Sequence, residues 1–138
     1  MQEDQNRSKR KEQSRYERGW QRLLELDSQG GQPIVDGLQA IAPDLATAII
    51  AFAFGDIYSR SGLDLKQRQL VTIACLVTLG DSEPQLEFHL GAALNVGLEP
   101  AEVVEALMNC VPFVGVPRVF NALGVAKRLF LSRDIQIP

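Results

Sequence analysis

The sequence predicts an all-α protein of six or seven helices, and three observations carry that prediction. Apolar residues recur at three- and four-residue steps along most of the chain, the period of one helix face. The breaks between these runs hold helix-start and helix-stop chemistry, with Asp64 and Pro84 at starts and Gly80 and Gly97 at ends. No stretch sustains period-two alternation, no hairpin dipeptide joins two apolar runs, and no internal repeat is visible.

Residues 1–8 are polar with nothing to bury and read as a disordered leader. From Lys9 to Asp27, the residues Tyr16, Trp20, Leu23, Leu24 and Leu26 form one stripe of a basic amphipathic helix, and Gly30-Gly31 closes this segment, 9–31. The globular part, 32–131, opens with a short helix after Pro33 that points Ile34, Leu38 and Ile41 inward. Pro43-Asp44 starts a clearer helix, expected to bury Leu45, Ala48, Ile49, Phe52, Ala53 and Ile57 and to stop at Gly62 in the left-handed conformation.

Asp64 with Gln67 three positions on is a capping-box pattern. The helix it opens loses its polar face after Arg68, as a helix does at the centre of a core or between subunits. Asp81 to Pro84 starts the next helix, whose face is Leu86, His89, Leu90, Ala93, Leu94 and Val96. Glu99-Pro100 opens another, burying Val103, Val104, Leu107, Met108 and Val111 until Pro112 ends or kinks it. Val116-Pro117 begins the last, carrying Phe120, Leu123, Ala126 and Phe130 inward, and residues 132–138 read as a loose tail.

Composition bounds the function. A chain of 138 residues, 46% hydrophobic and 22% charged, is long enough for one buried core. The net charge of −3 is unevenly spread: residues 1–22 hold seven Lys/Arg against four Asp/Glu, and the remainder holds seven against thirteen. The basic arm is short and mixed in sign, so it reads as a solvated helix rather than a nucleic-acid contact. Several helices are too apolar for a monomer to cover, which points to a homo-oligomer. Cys75 and Cys110 lie far apart in apolar patterns and read as buried, reduced thiols. With no signal peptide and no apolar run near the ~20 residues of a membrane span, the expected setting is cytoplasmic, with no membrane partner.

His89, the sole histidine, is the first candidate for chemistry. It reads either as a core histidine held by one hydrogen bond, or as a proton carrier at the wall of an apolar pocket, where desolvation keeps the ring neutral. The adjacent Gly91, Ala92 and Ala93 either leave room for a ligand or allow close helix packing. Arg68 and Arg60 are suited to binding a carboxylate or to a helix-terminus ion pair, and Asp56 and Tyr58 share the short segment with Arg60. Arg118, at the start of the last helix, is a weaker candidate of the same kind. No nucleophile signature, phosphate-cradling loop or metal-ligand spacing is present, so neither metal nor cofactor is expected and acid–base chemistry remains.

The strings FGDIYSRSGLDLKQRQLVTIACLVTLG, LEFHLGAALNVGL and VPFVGVPRVFNAL, spread over roughly residues 43–130, resemble the γ-carboxymuconolactone decarboxylase family. The resemblance implies the single-domain helical fold of the alkyl hydroperoxidase D (AhpD-like) proteins, assembly into trimers or hexamers, and decarboxylation of a small carboxylated lactone in aromatic catabolism. It implies His89 as the acid of the motif, Asp56 as its carboxylate, and Arg68, Arg60 and Tyr58 as substrate-binding groups. Phe113 stands where the family's decarboxylases carry tyrosine, and Asp56 is the shorter acid. The thiol pair of the peroxidase relatives would fall at Ser82 and Gln85, which excludes disulfide cycling there. Three functions follow, in order of preference: a cofactor-free lyase, a non-catalytic binder of small acids, and a thiol-dependent antioxidant protein.

Overall fold

A computed structural model describes residues 1–32 and 34–137. Among the described residues every regular element is helical. In order these are α1 (Gln2–Leu26), α2 (Ile34–Ile41), α3 (Pro43–Ile49), a π-helix (Ile50–Ile57) that continues α3, α4 (Leu65–Leu79), α5 (Glu83–Asn95), α6 (Pro100–Asn109), the single turn α7 (Val111–Val114) and α8 (Val116–Ser132). The chain divides into two compact units after Leu63. The expected boundary at 31/32 falls in the turn between α1 and α2, and Pro33 itself lies outside the described residues.

In the first unit, residues 1–8, expected as a disordered leader, form the exposed first turns of α1. Asp27 ends that helix: its carboxylate accepts from the Gly31 N–H at 2.9 Å, turning the chain into Gly30 and Gly31 at positive φ. Trp20 packs over Gly30, where a methyl group would meet the indole at 2.5 Å. Leu23 and Leu26 are buried as expected of their stripe.

The inward face expected for residues 34–57 needs correction. Ile34, Ile41, Leu45, Ile49, Phe52 and Ile57 are exposed, and the buried positions are Ala46, Ile50, Ala51 and Gly55. Two causes act together. The run ATAIIAFAF is apolar on all sides, so periodicity does not select a face. The winding then changes, as the Tyr58 N–H donates to the Ala53 carbonyl five residues back at 2.9 Å, and a five-residue step places Ile50 and Gly55 on one side. Small residues rather than large ones make this contact. Gly19 of α1 lies against the Ile50 carbonyl and the Gly55 nitrogen, and Gly55 lies against the Arg15 carbonyl. Gly62 is not among the residues at positive φ, because the helix has already ended at Ile57.

In the second unit, Asp64 caps α4 as its sequence requires: Oδ1 accepts from the Gln67 N–H at 2.8 Å, and Gln67 Oε1 accepts from the Asp64 N–H at 3.0 Å. Asp64→Ala is expected to lower unfolding free energy by about 1 kcal/mol, read as a lower denaturant midpoint at unchanged slope. Gly80 ends α4 at φ 68° and Gly97 follows α5 at φ 101°, both conformations that favour glycine. Arg118 Nη1 donates to the last α4 carbonyl, Leu79, at 3.1 Å, so this arginine closes a helix terminus. The core gathers Ile73 and Val77 of α4, Leu86 and Leu90 of α5, Val103 and Leu107 of α6, and Val119, Val125 and Phe130 of α8.

Three expected core positions lie outside it. Phe120 (73% exposed) and Met108 face solvent, while Val119 and Ala122 take the α8 stripe. Cys75 is exposed, and only Cys110 is the buried thiol; both are free. At the C-terminus Ser132 closes α8 and Ile135 packs against the core, while Pro138 lies outside the described residues.

Candidate functional site

The second unit supplies His89, Arg68 and one residue absent from the sequence-based candidates. Gln69 is fully buried, on the α4 face that also carries Ile73 and Val77. Its Oε1 lies 2.9 Å from Nδ1 of His89 on α5. The Phe88 ring meets the imidazole edge-on, with centroids 5.0 Å apart and planes at 82°. Burial pushes the His89 pKa down to about 4, so the ring is neutral near pH 7. His89 is thus tied by a hydrogen bond and is a neutral, partly buried imidazole.

That shift has a stability consequence with a defined sign. Between pH 6.5 and about 4 the unfolded chain binds a proton at position 89 that the folded chain refuses, so stability falls as pH drops through this window. The loss attributable to His89 is expected to be about 2–3 kcal/mol, and unfolding titrations of His89→Gln are expected to lack it.

Arg68 follows the capping turn of α4 and is half buried, with its Nε shielded from solvent. It immediately precedes Gln69, so the capping box positions both. Gly91, Ala92 and Ala93 serve packing rather than space for a ligand: all three are buried, and a methyl group at Gly91 would stand 2.8 Å from the Arg133 guanidinium. Asn95 of the same motif accepts from Arg133 Nη1 at 2.8 Å.

Asp56, Tyr58 and Arg60 belong to the first unit. The Asp56 carboxylate is held by α1: Arg15 Nε donates to its two oxygens at 2.9 and 3.0 Å, Arg15 Nη2 adds a contact of 2.5 Å, and Arg18 Nη2 reaches it at 3.3 Å. Arg18 Nε also donates to the Gly55 carbonyl at 2.8 Å. The hydrogen bonds from Arg15 hold the Asp56 carboxyl below the usual carboxylate range, against a smaller opposing effect of burial. An ionised carboxylate gripped by two guanidinium groups fastens helices together and is poorly placed to carry protons near neutral pH. Tyr58 packs its ring on Phe54 at 5.4 Å, and Arg60 is exposed after the π-helix.

Gln69 had one sequence signal: a polar side chain at the i, i+4, i+8 register of Ile73 and Val77, where the α4 face is otherwise apolar. The partner of Asp56 had none, since Arg15 is 41 positions away. Among the described residues no group of three or more His, Cys, Asp or Glu side chains is arranged to hold a metal, and no helix is long and apolar enough to cross a membrane.

Fold and site together define an all-helical protein whose titratable centre is one neutral histidine fastened to a buried amide. Residues 43–128 match the Carboxymuconolactone decarboxylase family, and the chain belongs to that family. It is 32% identical over 125 residues to the 4-carboxymuconolactone decarboxylase of Acinetobacter baylyi, covering 90% of this chain and 92% of the relative. An uncharacterized 15.0 kDa protein of Paracoccus denitrificans is 30% identical over 70% of this chain and 73% of its own. The nitrosuccinic acid decarboxylase of Metarhizium robertsii is 30% identical over 58% of this chain and 55% of its own.

Proposed function

We propose that this protein is a cofactor-free carboxy-lyase acting on a small carboxylic acid whose carboxyl-bearing carbon is joined to an electron-accepting group. The observation that carries the reading is the His89 imidazole, partly buried, neutral and fixed by Gln69, in a chain of this family. The names of two relatives supply the substrate class. A carboxylated lactone and a nitro-substituted dicarboxylic acid share one property: when carbon dioxide leaves, the electron pair moves onto an oxygen of the lactone or nitro group. The barrier then falls if that charge is met by a donor, the carboxylate is oriented by a cation, and a proton is delivered to carbon. In this reading His89 carries the proton and Arg68 binds the substrate, while Arg60 and Tyr58 are offered as substrate-binding groups on the family resemblance alone. Asp56, implied by the resemblance as the carboxylate of the motif, ties α1 to the π-helix within the first unit.

The setting that goes with this reading is a cytoplasmic homo-oligomer, trimeric or hexameric, serving aromatic catabolism. Exposed apolar side chains support association: Ile41 and Phe52 in the first unit, Leu79, Phe113 and Phe120 in the second. Light scattering during gel filtration tests it, and a monomer at micromolar concentration counts against it.

The functional test is carbon dioxide release, without added cofactor, from 4-carboxymuconolactone, nitrosuccinate and plain succinate. Turnover of either activated acid but not of succinate is the expected result. No turnover of any of them at stoichiometric protein overturns the reading. The engagement of Asp56 by Arg15 and Arg18, with Phe113 at a tyrosine position, favours one alternative, a non-catalytic binder of small acids. That alternative predicts a raised melting temperature with these acids and no consumption.

A further inference from the structure

His89 faces an acceptor that has no proton to give. The Gln69 side chain is fully buried, and its Oε1 is the atom placed 2.9 Å from Nδ1. Two acceptors repel at that separation, so the contact is attractive only when Nδ1 carries the hydrogen. A neutral imidazole has one N–H, and with it on Nδ1 the lone pair is on Nε2. We propose that Gln69 is a positioning residue that holds His89 in the Nδ1–H tautomer, so that the resting protein presents Nε2 as a proton acceptor. This rests on the lyase reading for its chemistry and changes the role of His89 within it, since the family resemblance implied a resting acid.

Three features make this arrangement selective. Gln69 projects from α4, which its capping box and the core positions Ile73 and Val77 hold in place, so its amide has little freedom to swing away. The Phe88 ring, nearly perpendicular to the imidazole, restrains its rotation. An amide brings no charge, so it orients the ring without favouring imidazolium, as a carboxylate in its place would. Desolvation of the ring acts in the same direction.

The chemical consequence is an order of events. The substrate is bound as its carboxylate, its state at neutral pH, and Nε2 takes up one proton from solvent. The bond from carbon to that carboxylate breaks, carbon dioxide departs, and the electron pair remains in the substrate on the lactone or nitro group. The imidazolium then gives its Nε2 proton to substrate carbon. The carboxylate and one solvent proton become the carbon-protonated product plus carbon dioxide, and His89 ends neutral, with its hydrogen still on Nδ1. Because that hydrogen stays tied to Gln69, all proton traffic runs through Nε2.

The test reads the tautomer directly, by long-range proton–nitrogen NMR of the full chain labelled with ¹⁵N, at neutral pH and without substrate. The expected spectrum has a protonated Nδ1 and an unprotonated Nε2 in the wild type. In Gln69→Met, which keeps the side-chain length but removes the acceptor, the ring is expected to shift toward Nε2–H, the form that unconstrained imidazole favours. For whichever activated acid is turned over, kcat of Gln69→Met is expected to fall at least tenfold with KM within about twofold. A wild-type ring protonated on Nε2 overturns the proposal, with no variant required. A wild-type Nδ1–H ring that is unchanged in Gln69→Met overturns the role of Gln69. Both outcomes are independent of turnover, so they are distinguishable from failure of the lyase reading, which leaves the tautomer intact.

Discussion

Replacing His89 by alanine is expected to lower turnover of an activated carboxylic acid by about 10²–10⁴-fold, the range in which a positioned proton carrier contributes. The loss is expected in kcat, because the ring acts on the proton rather than on overall binding. The structure also states what else the substitution does. It removes one hydrogen-bond partner of a fully buried amide, at an expected cost of about 1–3 kcal/mol. A melting curve on the same sample separates the two effects. Retained folding with lost turnover supports the proton-carrier role, and turnover indifferent to His89 removes it. Substrate-induced stabilisation is expected to survive in His89→Ala, since carboxylate binding is assigned to arginine.

Gly19→Ala is expected to be the most damaging single-methyl substitution in the first unit. A methyl group at position 19 points into the Ile50 carbonyl oxygen and lies 2.8 Å from the Gly55 nitrogen. These are backbone atoms of a hydrogen-bonded helix, so no side chain can rotate away, and α1 has to separate from the π-helix. That separation also lengthens the contacts of Arg15 and Arg18 with Asp56 and Gly55. A loss of about 3 kcal/mol in unfolding free energy is expected, from overpacking together with a disturbed ion-pair network. Gly55→Ala meets the Arg15 carbonyl and is expected to behave alike. Gly37→Ala is the control: nothing lies within 4 Å of its added methyl, it sits in α2, and it is expected to be neutral or to stabilise by up to about 1 kcal/mol. Equal behaviour of positions 19 and 37 in chemical denaturation contradicts the close helix contact.

This contact also shows why one expectation from sequence failed while its neighbours held. Around residues 45–57 the chain is apolar on nearly every side, and hydrophobic patterning then has no direction to report. The face turned inward is the one that allows closest backbone approach, through Ala46, Gly55 and the Ile50 carbonyl, and Leu45 and Phe52 are left outside. A shift from α to π winding moved the register again, and no short-range pattern in the sequence announces it. Phe120 and Met108 failed differently: each has an apolar neighbour competing for the inward position, and Val119 and Leu107 fit the available space.

What could be read along the chain was whatever depends on residues a few positions apart. Asp64 and Gln67 satisfy each other's backbone groups, Gly80 and Gly97 adopt the conformations that stop helices, and Pro112 and Pro117 mark the joints around α7. The family, the single histidine and the missing thiol pair were likewise legible, because they are matters of residue identity at short spacing. The partners were not. Asp56 meets Arg15 across 41 positions and His89 meets Gln69 across 20, and nothing local distinguishes these pairs from many others of the same chemistry. Folding selects them by bringing α1 onto the π-helix and α4 onto α5. A partly shielded carboxylate and imidazole are satisfied by the groups that packing brings to them. That packing makes Asp56 a fastener and gives His89 its neutral ring and its orientation.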